Sequence, residues 1–337
     1  MQATLEVSEL TVELPTTTGW VRPVNGVSFA LGRGESLGIV GESGSGKTML
    51  SLSLMGLTPP GARIKGCAQL HAAAPASVNS HGNGTTAQDR TVDLVTASPG
   101  EMRAIRGGQI GMIFQEPMTA LDPVLRIGDQ IEEAIRVHTS GISRAETRQR
   151  AIHALERAAV PEAARRAHQY PHELSGGLRQ RALIAMALAA GPGVLIADEP
   201  TTALDVTVQS QILQLLAELQ RELRLSLIFI THDLGVVAQV AERVLVMYAG
   251  RVVEQGATRD VLRNPRHPYT EGLLRAAPRL QKAKISPIPG SVPALDALPR
   301  GCSFGPRCER HISDCDAAVP EFRPVDDRHQ ARCILAG

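Results

Sequence analysis

One eight-residue run constrains this chain more than anything else in it: Gly41-Glu42-Ser43-Gly44-Ser45-Gly46-Lys47-Thr48, directly behind the apolar stretch Leu37-Gly38-Ile39-Val40. The run matches G-x-x-x-x-G-K-[ST], a pattern whose chemistry needs a strand entering the loop and a helix leaving it. Both are predicted here. Glycines such as Gly41, Gly44 and Gly46 let backbone N–H groups, Ser43 included, close around phosphate oxygens, and the helix N-terminus adds partial positive charge. Lys47 then neutralises the outer phosphates and Thr48 offers its hydroxyl to Mg²⁺. A plain Gly/Ser-rich turn does not account for the strand–loop–helix setting.

A second apolar run, Val194-Leu195-Ile196-Ala197, ends in Asp198-Glu199-Pro200. Carboxylates avoid the ends of buried strands unless paired or metal-bound. Asp198 is therefore the candidate for the Mg²⁺ shell and Glu199 for the general base that polarises an attacking water. Alone, an apolar run before two acids is a weak signal, equally compatible with a solvated strand end; beside the phosphate loop it becomes strong. The third piece is Leu174-Ser175-Gly176-Gly177-Leu178-Arg179-Gln180, which opens an Ala- and Leu-rich helix. Ser175, Gly176 and Gly177 make another helix N-terminus open to an anion. One molecule has no evident need of two such ends; two molecules sandwiching nucleotide do.

Around these motifs the strand and helix patterns alternate. Short apolar runs at Thr4–Val7, Leu10–Leu14, Gly26–Leu31 and Ser36–Val40 predict a β-subdomain. Residues 126–190 carry helical patterns, a helical subdomain. Val194–Ala197 and Leu227–Ile230 read as central parallel strands. Between them Val208, Ile212, Leu215, Leu216, Leu219 and Leu223 recur at helical spacing, the pattern of a crossover helix in an α/β core. The stretch 71–88, rich in Ala, Ser, Gly, Asn and Thr, is expected to be a flexible insertion.

The order GESGSGKT, LSGGLRQ, VLIADEP resembles the ATP-binding cassette (ABC) ATPases, and the resemblance extends from residue 3 to about 255. It implies a P-loop NTPase fold, with a RecA-like core, an antiparallel β-subdomain and a helical subdomain, over residues 1–260. Gln115 in Ile113-Phe114-Gln115-Glu116-Pro117 resembles the Q-loop residue, a Mg²⁺ and γ-phosphate sensor facing the membrane subunit. Asp205 in Ala203-Leu204-Asp205 resembles the D-loop acid that reaches across the dimer. His232 in Ile230-Thr231-His232-Asp233 resembles the switch histidine, although a lone His behind a strand is otherwise more often structural. Many cassettes stack adenine on an aromatic near the start of the β-subdomain; Trp20 is the one nearby candidate, one or two positions off the usual place, with simple packing as the alternative.

Composition agrees with this class and excludes others. Lys+Arg is 35 against Asp+Glu 34, which gives no cationic excess for a nucleic-acid binder. One Trp, three Tyr and five Phe are too few for a base-stacking surface. The Met1–Leu10 segment has neither a basic nor an apolar signal region. The longest run without polar side chains, Ala182–Ala197, is 16 residues and is broken by Gly191-Pro192-Gly193, short of the roughly 20 that a membrane helix needs. A reducing compartment is the expectation, where clustered cysteines bind metal more often than they pair.

Proline becomes dense after residue 264, and residues 261–337 are expected to form a small, loop-rich C-terminal module separate from the ATPase. Asn264-Pro265-Arg266-His267-Pro268-Tyr269-Thr270 and Ile288-Pro289-Gly290-Ser291-Val292-Pro293 are similar to the oligopeptide/dipeptide branch of bacterial importers. So is the tail bearing Cys302, Cys308, Cys315 and Cys333. Their C-x5-C-x6-C-x17-C spacing matches neither zinc-ribbon pairs nor the common ferredoxin run, so spacing does not choose between zinc and an iron–sulfur cluster. The resemblance implies a [4Fe–4S] cluster. His329 is a possible substitute ligand and Cys67 an inert packed thiol. The resemblance further implies an ATP- and Mg²⁺-dependent subunit at the cytoplasmic face of the inner membrane. Its partners would be a second cassette, either another copy or, as the resemblance favours, a paralogue, together with two permeases and an extracytoplasmic peptide-binding protein. Relatives that carry nickel chelates or glutathione are an alternative. A non-transport cassette of DNA repair or ribosomes would show coiled-coil insertions, tandem cassettes or a basic face, none of which is visible. A redox sensor with a regulatory ATPase would place cysteines beside the nucleotide motifs.

Overall fold

The protein is described here from a computed structural model covering residues 3–17, 19–72, 90–115, 120–202, 204–277, 287–326 and 328–336. Four antiparallel strands make the first sheet: β1 (Ala3–Thr16), β2 (Gly19–Gly32), β4 (Arg63–Ala72) and β5 (Arg90–Asp93), in the order β2-β1-β4-β5. The sequence leads one to expect separate strands at 4–7 and 10–14. They are one strand, because Ser8-Glu9 forms a bulge and not a turn. Glu9 sits at φ 49, its N–H donates to Ser28 Oγ at 2.9 Å, and the ladder resumes at Leu10↔Val27. The expected insertion begins later than residue 71, since His71 is paired with Thr91 across β4 and β5. Residues 73–88 lie outside the described residues.

The second sheet has eight strands. Its centre is parallel, with β9 (Arg243–Tyr248), β3 (Ser36–Val40), β8 (Ser226–Thr231), β7 (Val194–Asp198) and β6 (Ile110–Ile113) side by side. Every residue of β3, β7 and β8 is buried, which is why these strands read as unbroken apolar runs: helices cover both faces of a parallel sheet. On this sheet pack α1 (Lys47–Leu54), α2 (Pro99–Ile105), the crossover α7 (Val206–Leu223) and α8 (Leu234–Val240). Helix α7 buries Ile212, Leu213, Leu215, Leu216 and Leu219; Val208 and Leu223, at its ends, are only partly covered. The helical subdomain holds α3 (Ile127–His138), α4 (Arg144–Arg157), α5 (Ala163–Arg166) and α6 (Gly176–Leu188).

The C-terminal chain is loop-rich as expected, but it is not separate from the ATPase. Strand β10 (Arg251–Ala257) takes β12 (His329–Ala331) antiparallel on its free edge, and β11 (Arg323–Asp326) follows, so the tail extends the main sheet. After α9 (Thr258–Arg263) and α10 (Pro268–Ala276), Phe304 packs edge-on against Tyr248 of β9 at 5.3 Å and tilted against Tyr269 of α10 at 5.4 Å. Three of the chain's nine aromatics, Tyr248, Tyr269 and Phe304, share one core with Val40, Leu234 and Val237.

A buried hydrogen-bonded cluster closes the join. Glu254, wholly inaccessible, accepts from His329 Nε2 at 2.6 Å and from the backbone N–H groups of Arg266 (2.6 Å) and His267 (2.9 Å). His329 is thereby committed to Glu254, which corrects its reading as a possible metal ligand. His267 caps α10 by accepting the Tyr269 N–H on Nδ1, and burial pushes its pKa down to about 4, keeping that nitrogen free to accept.

Candidate functional site

The phosphate loop leaves β3 and enters α1 as the motif requires. Gly46 has φ +101, and a Cβ there would lie 1.9 Å from the Pro23 carbonyl oxygen, so neither the backbone angle nor the space admits another residue. Lys47 is buried and its Nζ donates to the carbonyls of Gly41 (2.8 Å) and Glu42 (3.0 Å). Burial lowers its pKa, while Glu199 and Asp198 pull it back up.

Asp198 ends β7 with 1% exposure. Its Oδ2 lies 3.4 Å from Ser51 Oγ and the nearby Thr48 hydroxyl acts to lower its pKa, yet Oδ1 has no partner. Burial raises its pKa, and the neighbouring Glu199 charge adds to the rise. An orphaned buried carboxylate oxygen is costly, and a cation answers it. Thr48 and Asp198 therefore fit Mg²⁺. Ser51, one helical turn beyond Thr48, is a member of this set that motif reading missed; its i, i+3 spacing was the available signal.

Glu199 is the next residue and turns the chain sharply. It sits at φ 47, a conformation that costs a non-glycine residue about 1–3 kcal/mol, while its N–H donates to Ile230 O at 2.9 Å and so ties the turn to β8. The turn aims Oε2 at three groups from three chain segments: Thr202 Oγ1 at 2.9 Å, His232 Nδ1 at 3.3 Å and Gln115 Nε2 at 3.4 Å. The His232 hydrogen bond holds the Glu199 carboxyl below the usual range, against the effect of burial, and Glu199 in turn raises the His232 pKa. An ionised carboxylate facing an imidazole and an amide is suited to orient a water and take its proton. Gln115, Glu199 and His232, 117 positions apart at the extremes, thus meet as the sequence predicts. Thr202 was not expected; it lies three residues on in the same turn. Glu116 and Pro117 lie outside the described residues.

The signature segment stands apart from these groups. Ser175 caps α6 by accepting the Leu178 N–H, and a Cβ on Gly177 would lie 2.8 Å from Val208 Cγ1. Asp205 caps α7, accepting from Thr207 N–H (3.0 Å) and Val208 N–H (2.9 Å). Two helix N-termini, of α6 and α7, are therefore packed together, with Gly176 facing Leu204; Ala203 lies outside the described residues. Trp20 is 43% exposed on β2, and the Arg63 guanidinium lies over its ring at 3.8 Å. Three residues on, Pro23 abuts Gly46.

Cys302, Cys308, Cys315 and Cys333 all line one small cavity with His267 and Phe304, and none is in a disulfide. Among the described residues, no group of three or more His, Cys, Asp or Glu side chains is placed to hold a metal ion. Burial raises the thiol pKa values of Cys302, Cys308 and Cys333, and each is raised further by the charge of other cysteines in the set. Cys67 stands far off in sequence on β4, opposite Ser8, its pKa raised by burial and by Asp93.

Parallel sheet, phosphate loop, acid pair and a second exposed helix end define a P-loop ATPase cassette. Residues 24–202 match the family described as "ABC transporter", and residues 253–315 match "Oligopeptide/dipeptide transporter, C-terminal region". The chain belongs to the ABC transporter ATPase family, in the branch that carries this C-terminal region. It is 50% identical to a "Putative peptide import ATP-binding protein" of Brucella abortus (strain 2308), over 99% of this chain and 97% of the relative. It is 46% identical to the "Dipeptide transport ATP-binding protein DppD" of Bacillus subtilis (strain 168), over 99% and 95%. With the "Oligopeptide transport ATP-binding protein OppD" of Salmonella typhimurium it shares 48% identity, over 94% and 89%. Among solved structures, the ATP-binding cassette MJ0796 bound to ADP and Pi is similar at TM-score 0.62 and 28% identity, covering 76% of this chain and 99% of that one. No helix among the described residues is long and apolar enough to cross a membrane.

Proposed function

We propose that this chain is the ATP-hydrolysing subunit of a bacterial peptide importer, working at the cytoplasmic face of the inner membrane. The observation that carries the hydrolytic part is the convergence of Gln115, Thr202 and His232 on Glu199, beside Asp198 and the phosphate loop. The peptide-import part rests on the C-terminal region and on the names of relatives that match nearly the whole chain. In this reading Gly41, Ser43, Gly44, Gly46 and Lys47 cradle the phosphates. Thr48, Asp198 and Gln115 would hold Mg²⁺, which when bound would neutralise phosphate charge. Glu199 takes the proton of a water whose oxygen bonds to the γ-phosphorus as the bond to the leaving β-phosphate oxygen breaks.

Ser175, Gly176 and Gly177 would serve nucleotide on a second cassette, a paralogue, with Asp205 facing across the dimer. One phosphate loop and one signature per chain support that pairing. The test is to purify the chain with its two permeases and second cassette and to measure ATPase activity with peptide-loaded binding protein. Peptide is expected to stimulate turnover. Equal rates with and without it, or stimulation by glutathione or a nickel chelate instead, would overturn the peptide reading.

Trp20 is proposed to stack adenine on the ring face opposite Arg63, an interaction worth on the order of 1–3 kcal/mol. As this is the chain's one tryptophan, saturating ATP should change the intrinsic fluorescence; an unchanged spectrum counts against it. The four cysteines are proposed to hold a [4Fe–4S] cluster. What supports a shared group is that all four thiols line one small cavity. An anaerobic preparation should contain iron and absorb broadly near ~400 nm; zinc without iron, or neither metal, would sink the cluster.

A further inference from the structure

Glu42, the second residue of the phosphate loop, is gripped from outside the nucleotide motifs. Arg307 meets its carboxylate with both arms, Nη1 to Oε2 at 2.7 Å and Nη2 to Oε1 at 3.0 Å. The backbone N–H of Glu42 donates to Tyr269 Oη at 2.7 Å. The Glu42 carbonyl, in turn, accepts from Lys47 Nζ. One residue thus joins the lysine of the phosphate loop to two side chains of the C-terminal region.

Arg307 has little freedom. Its side chain is 4% exposed, its Nε donates to Pro289 O at 2.8 Å, and its remaining N–H groups reach Tyr248 Oη (3.4 Å) and Ile288 O (3.5 Å). A planar guanidinium with every donor engaged has one orientation. Its backbone lies in the turn between Gly305 and Cys308, two residues that line the cysteine cavity. Arg307 N–H donates to Phe304 O and Cys308 N–H to Gly305 O, while Gly305 N–H donates to Cys302 O and Cys302 N–H to Cys315 O. Phe304, Gly305 and Cys308 line that cavity, and Phe304 packs on the Tyr269 ring. The turn that carries the arginine is thus hydrogen-bonded directly to Cys302 and Cys308.

We propose that Arg307 and Tyr269 are positioning residues for the phosphate loop, through which the state of the four-cysteine cavity sets the nucleotide affinity of this chain. Neither touches nucleotide; both act through Glu42. The inference rests on residues 41–48 binding nucleotide and is independent of what the cysteines hold.

The experiment measures ATP dissociation constants on the full chain by calorimetry, with single-turnover rates of bound ATP alongside. Arg307→Met is expected to raise Kd on the order of tenfold, within the usual range of coupling between sites, while the single-turnover rate stays near wild type because Glu199 and its partners are untouched. Arg307→Lys should restore only part of the affinity, since an ammonium cannot grip both oxygens. Cys308→Ser should weaken ATP binding in the wild-type background and add nothing to Arg307→Met. Should Arg307→Met fail to fold, Tyr269→Phe removes one hydroxyl, keeps the packed ring, and carries the same two expectations with a smaller rise. Unchanged Kd in the folded variant, or additivity with Cys308→Ser, overturns the proposal. Failure of wild type to bind ATP would instead overturn the nucleotide reading itself.

Discussion

Glu199→Gln is expected to bind ATP about as tightly as wild type and to hydrolyse it 10²–10⁴ times more slowly, on the order of what a positioned general base contributes. The substitution is nearly isosteric. An amide oxygen can still accept from Thr202 Oγ1, and the backbone bond to Ile230 O that fixes the turn is unaffected. What is lost is the ability to take a proton and the charge that orients His232. With that charge gone, the leading cause of the raised His232 pKa disappears, so the histidine titrates closer to its ordinary range. Equilibrium binding and phosphate release, measured on the same preparation, separate the two effects. Turnover within about tenfold of wild type would remove Glu199 from the base role, since proton transfer would then contribute less than the usual range.

The second large effect lies away from the nucleotide. Glu254→Ala should destabilise the protein by about 3–5 kcal/mol, since each buried donor left without its acceptor costs about 1–3 kcal/mol. Three donors lose their acceptor at once: His329 Nε2 and the backbone N–H groups of Arg266 and His267. The loss is compounded by position, since β12 docks on β10 at Glu254 itself, opposite Ala331. Denaturant unfolding followed by circular dichroism gives the difference directly. Glu254→Gln keeps an acceptor oxygen and should cost less. Equal, small losses in both variants would mean that the pair contributes nothing beyond packing.

These two residues differ in how visible they were beforehand. Glu199 was legible because an apolar strand ending in two acids occurs in a chain that also carries the phosphate loop. The same holds for Lys47, Thr48 and Ser175, whose chemistry depends on neighbours in the chain, and for the buried runs of β3, β7 and β8. Glu254 stands in Arg251–Ala257 with no such signal, and its partner His329 is 75 positions on. The Ser8-Glu9 bulge was hidden for a related reason: two polar residues look like a turn unless a neighbouring strand, here through Ser28, holds the chain extended.

By itself, then, the sequence determined the nucleotide chemistry and the class of the core, because phosphate cradling, helix capping and a doubly covered strand are written in local spacing. It also marked the four cysteines as a set. What the tertiary structure alone decided is where that set sits. The Arg307–Glu42 pair spans 265 positions, and nothing in Gly305-Pro306-Arg307-Cys308 names its partner. Only the docking of the tail on the sheet edge, through the Tyr248, Tyr269 and Phe304 rings, brings a buried guanidinium to a partly exposed loop carboxylate, and a cation taken out of water needs such a partner.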